Sequence, residues 1–97
     1  MILEAAYLYI REGEKDNFEK DFAFAGQYIS SIEGYIKHSL QRCLEVDHKY
    51  LLLVEWESIE NHTVGFRKSN MYNNWKKLLH HYYEPFPIVE HFEEVES

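Results

Sequence analysis

Ninety-seven residues, 45% of them hydrophobic and 16% aromatic, suffice for one globular domain with a small core. A formal charge of −7 excludes the basic surface that nucleic acid and anionic membranes demand, so neither is expected as a partner. The chain holds no apolar run near the roughly 20 residues of a spanning helix, no basic start of a signal peptide and a single cysteine, Cys43; a reduced, cytoplasmic setting is expected.

In chain order, Ile2 to Ile10 reads as a strand. Ile2, Glu4, Ala6, Leu8 and Ile10 alternate with Leu3, Ala5, Tyr7 and Tyr9, and both sets are largely apolar, which predicts two covered faces. Arg11-Glu12-Gly13 is a turn. From about Glu14 to Ile32, the spacing of Phe18, Phe22, Ala25, Ile29 and Ile32 predicts a helix, with Asp16 and Glu19 as a candidate capping box. Phe24 and Tyr28 fall off that stripe, and one of them is expected to contact something beyond the monomer core. Gly34 suits a left-handed helix end.

Tyr35 to Leu44 alternates Ile36, His38, Leu40, Arg42 and Leu44 against a polar set, which predicts a strand bordering solvent or another subunit. Val46-Asp47-His48 is a hairpin loop. In the next strand Tyr50, Leu52, Val54 and Trp56 oppose Leu51 and Leu53, again with two apolar sides. Ser58 is placed to cap a helix whose inward stripe is Ile59, His62, Thr63 and Phe66. Ser69 is placed to start a second helix with Met71, Tyr72, Trp75, Leu78, Leu79 and Tyr82 on one face. Pro85 and Pro87 stop helical structure, and Ile88 to Val95 reads as a last strand with an acidic end.

This order predicts one α+β domain over residues 1–97: a ferredoxin-like split βαβ fold, with a four-stranded antiparallel sheet and helices on one face. The bare face would carry Leu3, Ala5, Tyr7 and Tyr9, too apolar a patch for a lone soluble chain. A homodimer with sheets packed face to face is the simplest remedy.

Phe66, Tyr72 and Trp75 suit the walls of a pocket for a small aromatic molecule, although rings at helical spacing also serve simply as core. His62 and His38 are candidates for acid–base work because imidazole titrates near neutrality; the competing reading is a hydrogen-bonded core histidine. Arg42 lies on the face of His38 and suits a carboxylate or an enolate-like oxygen, or else a salt bridge to Glu4 or another strand carboxylate. No metal site is expected, since His80 and His81 are adjacent and Cys43 has no thiolate partner. Phosphate loops and nucleophile elbows are absent.

The run EWES, then IENH, GFR and S-x-x-Y-x-x-W within residues 55–75, together with the closing PFPIVEHFEEV, resembles the antibiotic biosynthesis monooxygenase (ABM) domain. The resemblance spans nearly the whole chain. It implies a dimeric α/β barrel of two ferredoxin-like protomers, and relatives that include cofactor-independent oxygenases of aromatic polyketides, quinol oxygenases and haem-degrading enzymes. The haem-degrading pattern of Asn, Trp and His falls on Ala6, Phe66 and Lys76, and none of the three matches. In the polyketide-oxidising members Asn, Trp, Tyr and Arg line the pocket; Trp75, Tyr72 and Arg67 offer similar chemistry here.

Two functions follow as expectations. In the first, a cofactor-free monooxygenase acts on a phenol or hydroquinone, with His62 or His38 as base, Arg42 or Arg67 holding the anion, and Phe66, Tyr72 and Trp75 stacking on the ring. In the second, a non-catalytic dimer binds an aromatic metabolite. Haem binding through another histidine, such as His81, is a third reading.

Overall fold

A computed structural model describes residues 1–96. Four strands, β1 (Ile2–Tyr9), β2 (Tyr35–Arg42), β3 (Lys49–Trp56) and β4 (Val89–Phe92), form one antiparallel sheet in the order β2-β3-β1-β4. This is the split βαβ topology expected above. Helix α1 (Lys15–Ser30) connects β1 to β2, and the β3–β4 crossover carries a short wide turn, Asn61–Phe66, followed by α2 (Asn70–Leu79) and a 3-10 turn, His80–Tyr82.

The strand parity is as the sequence dictates. Glu4, Ala6, Leu8 and Ile10 of the first segment, and Tyr50, Leu52, Val54 and Trp56 of β3, are all buried under the helices. The α1 stripe Phe18, Phe22, Ala25 and Ile29 closes on them, joined by Phe66, Trp75 and Leu79. Leu3, Ala5 and Tyr9 with Leu51 and Leu53 remain part-exposed on the opposite face, where Tyr7 is 55% and Phe92 50% exposed.

Local differences from the sequence reading have physical causes. Helix α1 begins at Lys15 behind Glu14, which makes no side-chain cap bond, so the Asp16/Glu19 box does not form. Glu19 is instead drawn to Arg42 and Tyr50 across the helix–sheet interface. Residues 59–60 start an α-turn that widens to π-type bonding over Asn61–Phe66 and leaves Ile59 exposed, while His62 and Phe66 point inward. Ser58 caps it through reciprocal bonds with Asn61: the Ser58 N–H and Oγ donate to Asn61 Oδ1 at 3.0 and 2.8 Å, and the Asn61 N–H donates to Ser58 Oγ at 3.4 Å. Ser69 caps α2 as expected, accepting from the Tyr72 N–H at 3.2 Å. Strand β2 stops at Arg42, leaving Leu44 91% exposed, and β4 spans only four residues because the acidic run that follows takes no ladder partner.

Gly34 joins α1 to β2 at φ +87°, and a Cβ there would lie 2.1 Å from Asn61 Cγ. Its carbonyl also accepts the Glu57 N–H at 2.8 Å, so the turn fastens the start of the crossover. The left-handed backbone and the clash with a hydrogen-bonded Asn61 add, and Gly34→Ala should cost about 2–4 kcal/mol of unfolding free energy in a urea titration. A change under about 0.5 kcal/mol would show that the turn relaxes freely.

Candidate functional site

Between sheet and crossover lies a cleft of about 340 Å³. Its floor is Ala6 and Leu8 of β1, Leu52 of β3 and Val89 of β4; its roof is Phe66, Tyr72 and Trp75; the chain at Tyr83, Phe86 and Pro87 closes one side. The roof rings pack edge to face, Phe66 at 5.2 Å from Tyr72 and 5.7 Å from Trp75 between centroids. Such a lining suits a flat apolar molecule held by few polar contacts.

Those polar contacts converge at one end. Glu4 is 4% exposed on the helix-facing side of β1 and opposes His91 of β4 in register. Trp56, diagonal to Glu4 on the neighbouring strand, donates its indole N–H to Glu4 Oε1 at 2.9 Å. His62, 3% exposed, stacks on the Trp56 ring at 5.5 Å and brings Nε2 to 3.4 Å from the same oxygen. His62 Nδ1 lies 2.8 Å from His91 Nε2. Both contacts to Glu4 fall on Oε1, which leaves Oε2 for whatever occupies the cleft. No buried side-chain polar atom among the described residues lacks a partner.

Burial raises the Glu4 carboxyl to about 7, against the smaller opposing pulls of the Trp56 hydrogen bond and the Arg67 charge. Burial, then the nearby charges of Arg67 and His91, lowers His62 to about 3. His62 is therefore a neutral imidazole at physiological pH, and its 3.4 Å contact to Glu4 is not an ion pair. His91 is lowered for the same reasons, burial first and Arg67 second. The group poised to exchange a proton near neutrality is thus Glu4.

The expected site residues divide into two sets. His62, Arg67, Phe66, Tyr72 and Trp75 all line the cleft, with exposed Arg67 at its edge. His38 and Arg42 do not. His38 packs against Phe22 and Gly26 of α1, with Nδ1 2.6 Å from the Tyr35 hydroxyl and its pKa lowered by burial. Arg42 chelates Glu19 of α1, Nη2 lying 2.8 and 2.9 Å from its two carboxylate oxygens, rather than Glu4 or another strand carboxylate. The sequence reading missed Glu4, His91, His80 and Tyr83. A carboxylate within the apolar set Ile2, Ala6, Leu8 was the available signal for Glu4, because carboxylates are almost never buried without a partner. Alternation of Val89 and His91 against Glu90 and Phe92 was the signal for His91. Nothing among the described residues groups three metal-ligating side chains, and no helix among them is long and apolar enough to cross a membrane.

Comparison with known proteins agrees with this architecture. The uncharacterized protein YczJ of Bacillus subtilis (strain 168) is 57% identical over 95 residues, covering 98% of this chain and 100% of its own. The crystal structure of a putative antibiotic biosynthesis monooxygenase from Bordetella bronchiseptica superposes with a TM-score of 0.93 at 32% identity, over 98% of this chain and 97% of that one. SnoaB, a cofactor-independent oxygenase from Streptomyces nogalater, shares the fold at a TM-score of 0.73 and 18% identity, over 99% and 94% of the two chains. The profile of the family described as antibiotic biosynthesis monooxygenase matches residues 1–78. With the ferredoxin-like sheet and its roofed cleft, these matches establish that the chain belongs to the antibiotic biosynthesis monooxygenase family.

Proposed function

We propose that the protein is a cofactor-independent monooxygenase of a small phenol or hydroquinone, acting as a homodimer in the cytoplasm. The observation that carries this reading is a buried carboxyl held near neutrality inside an aromatic-walled cleft. Family membership supports it, as does the cofactor-independent oxygenase activity of SnoaB, a fold relative.

Glu4 as carboxylate takes the phenolic proton, with Oε2 toward the ring and Oε1 held by Trp56. Arg67, at the cleft edge, offsets the negative charge that moves onto the substrate. The phenolate then reduces dioxygen, one atom entering the ring carbon and the other leaving as water, so that a phenol and O2 give a quinone and H2O. Phe66, Tyr72 and Trp75 stack on the ring and keep solvent from the reacting carbon. His62, neutral beside Glu4, fills the role of partner rather than base.

Oxygen uptake should rise with pH through about 7 as Glu4 ionises. A panel of one- and two-ring phenols and hydroquinones, followed by an oxygen electrode with non-enzymatic rates subtracted, tests this. Glu4→Gln should lower kcat by about 10²-fold or more, while His38→Ala and Arg42→Ala should change it little, since neither residue reaches the cleft. Uptake unchanged by Glu4→Gln would eliminate the mechanism. No uptake with any member, alongside ring binding in the cleft, would favour the non-catalytic aromatic-binding module.

A further inference from the structure

Glu4 poses a problem that the proposed reaction leaves open. Its carboxyl is buried, and a ring in the cleft blocks the approach of water from that side. The reaction's own proton leaves in the product water, but a ring that binds while Glu4 is protonated meets no base until that proton has left. From Glu4 a continuous chain of side chains runs along the end of the cleft to the sheet edge. His62 Nε2 is 3.4 Å from Glu4 Oε1, His62 Nδ1 is 2.8 Å from His91 Nε2, and His91 is part-exposed on the short strand β4 at the sheet edge. Each imidazole has two nitrogens, one to receive and one to release.

The geometry points to His62 and His91 as a proton conduit linking the buried Glu4 carboxyl to solvent at the β4 edge, and it makes His91 a positioning and relay residue for the proposed reaction. The step balances without an outside reagent. Protonated Glu4 releases its proton to His62 Nε2 as His62 Nδ1–H passes one to His91 Nε2, and His91 Nδ1–H releases one to water. One proton leaves and both imidazoles finish neutral in the opposite tautomer. Reorientation of the two rings resets them. The 3.4 Å gap closes to hydrogen-bonding distance with a side-chain shift of a few tenths of an ångström.

The charged surroundings favour transit over trapping. Arg67 faces both histidines and disfavours a resting imidazolium on either, and the Trp56 indole fixes Glu4 Oε1, the oxygen beside His62. Tyr83 also senses the Glu4 charge; burial is the larger cause that raises its hydroxyl well above the usual range, so it stays protonated and does not compete as a base. If His91 served only to satisfy a buried His62 nitrogen, a glutamine amide would do as well.

This inference rests on the reading that Glu4 exchanges a proton, but its test needs no substrate. With the cleft filled by a ring that carries no hydroxyl, such as toluene, a light-triggered pH jump across pH 7, followed by the infrared carboxyl band that Glu4→Gln removes, reports the protonation rate of Glu4. His91→Gln keeps a hydrogen-bonding group opposite His62 but cannot relay. It should slow relaxation at least about tenfold with the equilibrium midpoint nearly unchanged, and free imidazole should restore the rate in His91→Ala. Equal rates in wild type and His91→Gln, or no recovery of His91→Ala with imidazole, would overturn the conduit. Slowed relaxation in a protein that oxidises no phenol would retain the conduit and remove the oxygenase; normal relaxation in an active oxygenase would do the reverse.

Discussion

At pH 8, Glu4→Gln is expected to be more stable than the wild type by about 3 kcal/mol, and at pH 4 the two should be nearly equal. The wild-type carboxyl is raised from 4.5 to about 7, chiefly by burial, so the folded chain holds that proton more tightly than the unfolded chain does. Below pH 4.5 both states are protonated and no penalty exists. Between 4.5 and 7 unfolding releases a proton, and stability falls as pH rises; above 7 the full cost of a buried carboxylate is present. Glutamine is neutral throughout and still offers an oxygen to the Trp56 indole. His62 works in the opposite direction. Its lowered pKa gives stability that is complete above 6.5 and lost as pH falls through about 3, and it is common to both proteins. Urea denaturation at fixed protein concentration in the two buffers separates the effects. A difference that does not change with pH would mean that Glu4 is not held near neutrality.

Leu53→Asp should convert a stable pair of chains into single ones. Leu53 lies on central strand β3 opposite Ala5, on the face that also carries Leu3, Leu51, Tyr7 and Phe92 and that no helix of this chain covers. An uncovered sheet face of this composition is best buried against a second copy by a two-fold axis. A carboxylate at its centre would meet apolar side chains from both protomers and go unpaired, at a cost of several kcal/mol, or about a thousandfold or more in Kd. The substitution leaves the helix-facing core untouched, so circular dichroism should stay native. Sedimentation should give twice 11.7 kDa for the wild type and 11.7 kDa for the variant at micromolar concentration. A wild-type chain that sediments alone would remove the dimer, while a dimer that survives Leu53→Asp would place the contact elsewhere.

The parts of the structure legible in the sequence are those written in local periodicity. Alternation in Ile2–Tyr9 and Lys49–Trp56 assigns two apolar faces, and the spacing of Phe18, Phe22, Ala25 and Ile29 assigns the helix that covers one of them. Ser69 marks its helix start because a hydroxyl cap is a strictly local demand, whereas the left-handed Gly34 sits past the αR C-cap Ser31, in the turn to β2 rather than at the helix end. The aromatic roof follows from the same logic. The polar end of the cleft does not, because it depends on register: Glu4 meets His91 only when β4 pairs with β1, and meets Trp56 only when β3 does. The sequence offers Arg42 a substrate anion or a strand carboxylate, and it pairs instead with Glu19, because a strand's edge is reached more easily from the helix packed over it. The π-type turn at Asn61–Phe66 likewise depends on tertiary packing, with His62 and Phe66 both required inside.

The most direct test of the account is a carbon NMR titration of the Glu side-chain carboxyls, with Glu4 assigned by its loss in Glu4→Gln. A Glu4 midpoint near 7 is the result predicted. A Glu4 midpoint near 4.5 would contradict it, because an ordinary carboxylate at that position could neither hold a phenol's proton at neutral pH nor need a route to release it.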